Sequence, residues 1–166
     1  MTAGSAGGTK AFIGLGSNLE EPVAQIERAI ELLEGIPGTT LESRSSLYQS
    51  APLGAVTQPD FINAAAEIRT LLDARSLLQY LHELERSQGR IRREHWGPRI
   101  LDLDLLVFGD AEIDEPELTV PHPGIAVRNF VLLPLKEVAP ELLIPGLGRI
   151  SDIAVHNNEP RISRLD

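Results

Sequence analysis

His95-Trp96-Gly97-Pro98-Arg99-Ile100-Leu101-Asp102-Leu103-Asp104-Leu105-Leu106 sets two aspartates two residues apart inside an apolar run, directly after a loop rich in Arg, Gly and Pro. Residues 100–108 have the length and apolar content of a strand. Strand side chains alternate faces, so Asp102 and Asp104 point one way while Leu101, Leu103, Leu105 and Val107 point the other, into a core. The two aspartate Cα atoms would lie about 6.6 Å apart at strand rise. Two unit charges at that distance repel by about 2.5 kcal/mol at an effective dielectric near 20. Solvent or a cation must relieve that repulsion. Two hard carboxylates suit Mg²⁺, which keeps waters and takes further ligands from phosphates. The competing reading is an alternating surface strand with solvated Asp, and the neighbouring residues decide between them.

On the N-terminal side those neighbours are basic. Residues 86–99 hold Arg86, Arg90, Arg92, Arg93 and Arg99 against Glu94, a net of +4, within a chain of net charge −9, so the remainder carries −13. An acidic protein with one basic patch suits a compact anion better than a nucleic acid. Arg90, Arg92, Arg93 and Arg99 supply planar forks that match phosphate oxygens, and Gly97-Pro98 sets a turn that brings Arg99 up to the aspartates. Cations beside carboxylates can hold Mg²⁺ and a polyphosphate together.

Around this site the sequence reads as α+β with a mostly antiparallel sheet. A first strand is expected over residues 11–15. A helix opening at Pro22 follows, with Val23, Ile26, Ile30 and Leu33 at helical spacing. Strands over 40–49 and 61–70 have no helix between them, which argues against a doubly wound fold. Asp73 is a helix N-cap ahead of the stripe Leu77, Leu78, Leu81 and Leu84. Residues 109–117 hold five acids and read as a solvated turn, residues 118–120 as a short strand, and residues 125–133 and 135–140 as short helical pieces. One domain is expected over 10–158, with loose tails at 1–9 and 159–166. There are 166 residues, 42% hydrophobic, and no cysteine, which excludes disulfides and thiolate metal sites. No apolar run approaches the roughly 20 residues needed to span a bilayer, and residues 1–9 lack a signal-peptide core. A cytoplasmic protein is expected.

Gly14-Leu15-Gly16-Ser17-Asn18 is neither a dinucleotide fingerprint nor a P-loop, and reads as a tight turn with a helix cap. His82 and Glu85 stand three apart on the second helix, where a surface hydrogen bond is the ordinary role. His122 in Pro121-His122-Pro123, followed by Arg128, could bring another cation near the site. Phe61 and Asn63 share a strand face, and an aromatic wall beside an amide can stack and read a flat heterocycle.

Together these segments resemble the 6-hydroxymethyl-7,8-dihydropterin pyrophosphokinase family. The matching pieces are Gly14 to Asn18, Tyr48 with Ala51-Pro-Leu-Gly54, Gln58-Pro-Asp-Phe-Ile-Asn63, Glu85 with Gln88-Gly-Arg90, the block from His95 to Asp104, Thr119-Val-Pro-His122, and Arg128-Asn-Phe130. They occur in family order over roughly residues 10–145. The resemblance implies a ferredoxin-like three-layer sandwich and transfer of pyrophosphate from ATP to the pterin hydroxymethyl group, releasing AMP, in folate biosynthesis. It implies that Asp102 and Asp104 bind two Mg²⁺, and that Arg90 and Arg99 steady the transferring group with Arg92 assisting. It implies that His82, Glu85, Trp96, Leu105, His122 and Arg128 lie along the ATP site. Ser50, Ala51, Leu53, Phe61, Asn63, Trp96 and Phe130 would line the pterin pocket, with the Phe rings on its two faces. Ser50-Ala51 stands where Thr-Pro is frequent, Phe61 where Tyr is frequent and His82 where Gln is frequent. A monomer acting on ATP and the pterin, with no nucleic-acid or membrane partner, is expected, its loops at 51–59 and 86–99 closing over the ligands. A Mg²⁺-dependent phosphohydrolase using the same Asp pair and a non-enzymatic ferredoxin-like binding domain are the alternatives.

Overall fold

In the computed structural model, the described residues are 7–19, 21–52, 58–88, 101–156 and 160–165. A mostly antiparallel α+β architecture is what the chain adopts. The main sheet runs in the order β10 (Ile162–Arg164), β3 (Tyr48–Ser50), β4 (Phe61–Thr70), β1 (Thr9–Ser17) and β5 (Asp102–Phe108). β2 (Thr39–Arg44) continues the β3 edge along the other half of β4, and every pairing is antiparallel. The one strand expected over 40–49 is broken into β2 and β3, and Ser45 bridges the break: its N–H donates to Ala65 O at 2.8 Å, and its Oγ accepts from Ala65 N at 2.9 Å.

Helices cover both faces. α1 (Pro22–Leu33) and α2 (Ala74–Ser87) bury Ile26, Ile30, Leu33, Leu77 and Leu81 against Ile13, Leu15, Leu103 and Leu105. α3 (Asn129–Val138) covers the other face, packing Val131, Leu132 and Leu135 on Phe12 and Leu106. The result is three layers, α1 and α2 below, the sheet, and α3 above. Asp73 caps α2 as expected, its carboxylate accepting from Ser76 N at 2.8 Å.

Several expectations differ from the structure. Val23 is exposed, because its position falls outside the stripe formed by Ile26, Ala29, Ile30 and Leu33. Val107 packs with Leu106 in the α3 cluster, because the β1–β5 register slips between Phe12 and Ile13 and a bulge resets the alternation. The two helical pieces around residues 125–140 are the single helix α3, with Pro134 inside it. Pro134 has no N–H to give Phe130 O, yet Pro134 and its neighbours Val131, Leu132 and Leu135 are buried, and that burial carries the helix through. The acidic turn at 109–117 contains β6 (Ile113–Glu115), which pairs with β7 (Leu118–Val120). The C-terminal stretch expected as a loose tail forms β10, because β3 offers it an open sheet edge. Thr9, the last residue of the expected N-terminal tail, already pairs with Thr70.

Candidate active site

Gly14 and Gly16 lie inside β1, not in a turn after it. Gly16 stands opposite Asp102 on one side and Asn63 on the other, and Asn63 stands opposite Tyr48. Gly14 stands opposite Asp104 and Ala65. Residues directly opposite across a ladder share a face, and Ile13, Leu15, Ile62, Ala64, Leu103 and Leu105 take the α1–α2 face. Asp102, Asp104, Asn63, Phe61 and Ser50 therefore all belong to the α3 face. The two glycines place no side chain between the carboxylates and the Asn63 wall. They leave a shallow floor on which a flat ligand or a phosphate chain can approach the backbone closely. Gly at alternate positions of a strand is the sequence signal for this floor, one that local sequence does not separate from a tight turn.

One end of the floor is a polar and aromatic wall. Buried Asn63 donates from Nδ2 to Ser50 Oγ at 2.8 Å. That bond fixes the amide plane, and half-buried Phe61 sits directly across from Ser50. Phe130, at the start of α3, is half-buried on the same face, with the Arg128 guanidinium 6.0 Å from its ring centroid. Asn18, buried at the end of β1, donates to Gln58 Oε1 at 2.9 Å and Pro59 O at 3.0 Å, and so anchors the segment entering β4.

The other end is a cleft of about 250 Å³ beside β5, which brings together His82, Asp104, Leu105 and His122, and also takes in Glu117 and Thr119, neither of them among the expected site residues. His122 is tied to the outer edge of β5 by its N–H to Leu106 O at 2.8 Å, and its Nδ1 accepts from Gly124 N at 2.9 Å. Burial, with a smaller push from Arg128 against the pull of Asp104, holds the imidazole below its usual pKa of 6.5. A neutral ring with its proton on Nε2 is the form the Gly124 bond selects. Gly124 leaves room for this convergence: a Cβ there would lie 2.9 Å from Arg128 Cδ and 3.2 Å from His122 Cε1, and the Arg128 side chain would have to shift.

Glu85 is buried, 5% exposed, and is not a surface residue as its spacing suggested. Its Oε2 accepts from Leu103 N at 2.7 Å. Leu103 lies between the two aspartates, and its N–H faces the side of β5 away from β1. The helix thereby satisfies an edge-strand donor and holds the Asp-bearing strand in place. The expected roles of Leu53, Arg90, Arg92, Trp96 and Arg99, and the closing of loops at 51–59 and 86–99, fall wholly or largely on residues outside those described. Among the described residues no group of three or more His, Cys, Asp or Glu side chains is placed to hold a metal. A divalent ion at Asp102 and Asp104 would need further oxygens from phosphate and water. That donor set fits Mg²⁺ carried in with a polyphosphate.

Residues 12–140 match the 7,8-dihydro-6-hydroxymethylpterin-pyrophosphokinase (HPPK) family. A Haemophilus influenzae protein named 2-amino-4-hydroxy-6-hydroxymethyldihydropteridine pyrophosphokinase is 40% identical over 156 residues, covering 94% of this chain and 98% of that relative. A Pseudomonas aeruginosa protein of the same name is 46% identical over 136 residues, covering 82% and 84%. Among solved structures, HPPK-DHPS in complex with substrates aligns with a TM-score of 0.71 at 14% identity, over 89% of this chain and 43% of that one. Plasmodium falciparum HPPK-DHPS wild type with pteroate aligns with a TM-score of 0.70 at 16% identity, over 87% and 43%. This chain thus spans less than half the length of those two solved chains, and the likeness to them is one of fold. With the family pattern covering most of its length and relatives at 40–46% identity, the chain belongs to the 7,8-dihydro-6-hydroxymethylpterin-pyrophosphokinase family.

Proposed function

We propose that the α3 face of the sheet is where this chain performs its family's reaction, the single unit expected over residues 10–158 being extended to take in Thr9 and β10. The chain is an ATP-dependent pyrophosphokinase of folate biosynthesis: it transfers pyrophosphate from ATP to 6-hydroxymethyl-7,8-dihydropterin, yielding AMP and the pterin diphosphate. The observation that supports placing it here is the row Asp102–Gly16–Asn63, a carboxylate and an amide wall separated by bare strand backbone.

The hydroxymethyl oxygen attacks the β-phosphorus in line and gives up its proton to solvent, forming the new O–P bond as the bond from that phosphorus to the α,β-bridging oxygen breaks and AMP leaves with that oxygen and the bonding pair. Catalysis is positioning and charge stabilisation. Ser50, Ala51, Leu53, Phe61, Asn63, Trp96 and Phe130 hold the pterin. Asn63, its plane fixed by Ser50, reads the ring edge. His82, Glu85, Arg92, Trp96, Leu105, His122 and Arg128 make up the nucleotide side, Glu85 by holding β5. Arg90 and Arg99 steady the transferring group. Asp102 and Asp104 are suited to hold two Mg²⁺, which when bound neutralise the phosphate oxygens. No helix among the described residues is long and apolar enough to cross a membrane. We propose a cytoplasmic monomer whose ligands are ATP and the pterin, without nucleic-acid or membrane partners.

The test is an assay with ATP, Mg²⁺ and the pterin. Pterin-dependent AMP is expected, and pterin-independent ADP or phosphate would overturn the assignment. Asp102→Asn should retain the wild-type circular dichroism spectrum and lose at least about a hundredfold in kcat/KM, about 2.7 kcal/mol of transition-state stabilisation. Unchanged Mg·ATP affinity and turnover in that variant would remove the metal assignment.

A further inference from the structure

Asn129 opens α3 between Arg128 and Phe130 and is 4% exposed. Its Nδ2 donates to two carbonyls near the end of the chain, His156 O at 2.5 Å and Pro160 O at 2.7 Å. An amide nitrogen has two N–H groups, so both are committed. The Oδ1 of the same side chain is buried with no partner among the described residues. An unpaired buried oxygen is a cost, one that filling the space would not require.

The gripped segment leads directly into β10. That strand pairs with β3 as Ile162 with Ser50, Ser163 with Gln49 and Arg164 with Tyr48. The ladder is closed at both ends, by Ala51 N to Arg161 O at 3.0 Å and Leu165 N to Leu47 O at 2.8 Å. β3 carries Ser50, the acceptor for Asn63. One side chain thus joins the helix that carries Phe130 to the strand that carries the opposing wall. The far end of α3 is tied to the same stretch directly: Glu137 accepts from Ser46 N, Ser46 Oγ and Tyr48 Oη, the last at 2.6 Å. Eight residues separate Glu137 from Asn129, about 12 Å of helix. Glu137 alone would act as a pivot, and a small rotation about it would move Phe130 relative to Ser50 and Asn63.

We propose that Asn129, acting through β10, is a positioning residue that sets the gap between Phe130 and the Ser50–Asn63 wall, and with it the affinity for the flat pterin. This rests on the reading of that gap as the pterin pocket. The role is distinct from that of a plain structural tie, because it acts more on the pterin, held by Phe130 and the Ser50–Asn63 wall, than on ATP.

Steady-state kinetics on the full chain test it. Asn129→Ala should raise the pterin KM about five- to tenfold while leaving kcat and the ATP KM within about twofold. Ser163→Pro breaks the same connection without touching Asn129. By the alternation of an antiparallel ladder, the Ser163 N–H faces β3 and those of Ile162 and Arg164 face away. Ser163→Pro should therefore reproduce the rise in pterin KM, Ile162→Pro should keep the wild-type value, and the double variant Asn129→Ala/Ser163→Pro should be no worse than the worse single one. If Asn129→Ala does not fold, Ser163→Pro decides alone. A lowered Tm with wild-type pterin KM, or an equal rise in both KM values, overturns the proposal. Wild-type protein that consumes no pterin would overturn the pocket reading and this inference with it. Active wild type with unshifted variants overturns this inference alone.

Discussion

Among the described residues, a Cβ on Gly16 would meet one nearby atom, Asn63 Oδ1, at 3.4 Å, which is ordinary van der Waals contact. The fold therefore has room for alanine there, and a strand alanine removes some unfolded-state entropy relative to glycine. The same methyl would stand on the floor between Asp102 and Asn63, where the substrates are proposed to meet. Gly16→Ala should leave stability within about 1 kcal/mol of wild type in urea denaturation, yet lower kcat/KM by at least about tenfold through displaced substrates. Gly14 is tighter, its Cβ falling 3.3 Å from Leu106 Cδ1, so substitution there would disturb packing and substrate together. Gly16 is thus the position at which function and stability separate.

β5 has β1 on one side, and at its opposite edge Glu85 and His122 take up backbone groups that no strand pairs, Leu103 N and Leu106 O respectively. A strand bearing two carboxylates on one face gains little from packing on that face, so its edge contacts matter more. Glu85→Ala leaves the Leu103 N–H buried and unanswered and should cost about 1–3 kcal/mol. Glu85→Gln keeps an acceptor oxygen and should recover part of that loss. Amide hydrogen exchange at Leu103 checks the cause: protection should fall sharply in Glu85→Ala and persist in Glu85→Gln. The three-residue spacing of His82 and Glu85 was legible in the sequence. That one faces the cleft and the other turns under β5 depends on where α2 lies against the sheet.

The layers are joined across long stretches of chain by Glu137, which binds α3 to the β2–β3 connection, with Arg164 of β10 3.9 Å away. Burial and the carboxylate beside it push the Tyr48 phenol far above its usual range. For Glu137, burial works to raise the pKa, but the bonds from Tyr48 and Ser46 outweigh it and hold the group below its ordinary 4.5. A folded pKa below the unfolded one means that this carboxylate stabilises fully above the unfolded value. The contribution is lost as pH falls through the folded value. Glu137→Gln should lower stability at neutral pH by about 1–2 kcal/mol. It should also flatten the fall in Tm between about pH 6 and about pH 3. Equal acid sensitivity in wild type and variant would remove Glu137 from the acid response.

β1, β4, α1, α2 and the Asp-bearing β5 were legible because alternation, helical spacing and the Asp73 cap are local properties, set by a few neighbouring residues. The aspartates' shared face followed from the two-residue strand period, and the family likeness followed from short motifs in order. What the chain could not show one-dimensionally were the meetings across distance. Gly14 and Gly16 look like turn residues until the register sets them opposite Asp104 and Asp102. Residues 162–164 look like a loose end until β3 offers an open edge. Pro134 looks like a helix break until the α3 face around it is buried against the sheet. In each case one residue's role is decided by a partner tens of residues away. Pairing register and burial exist only once the layers have packed.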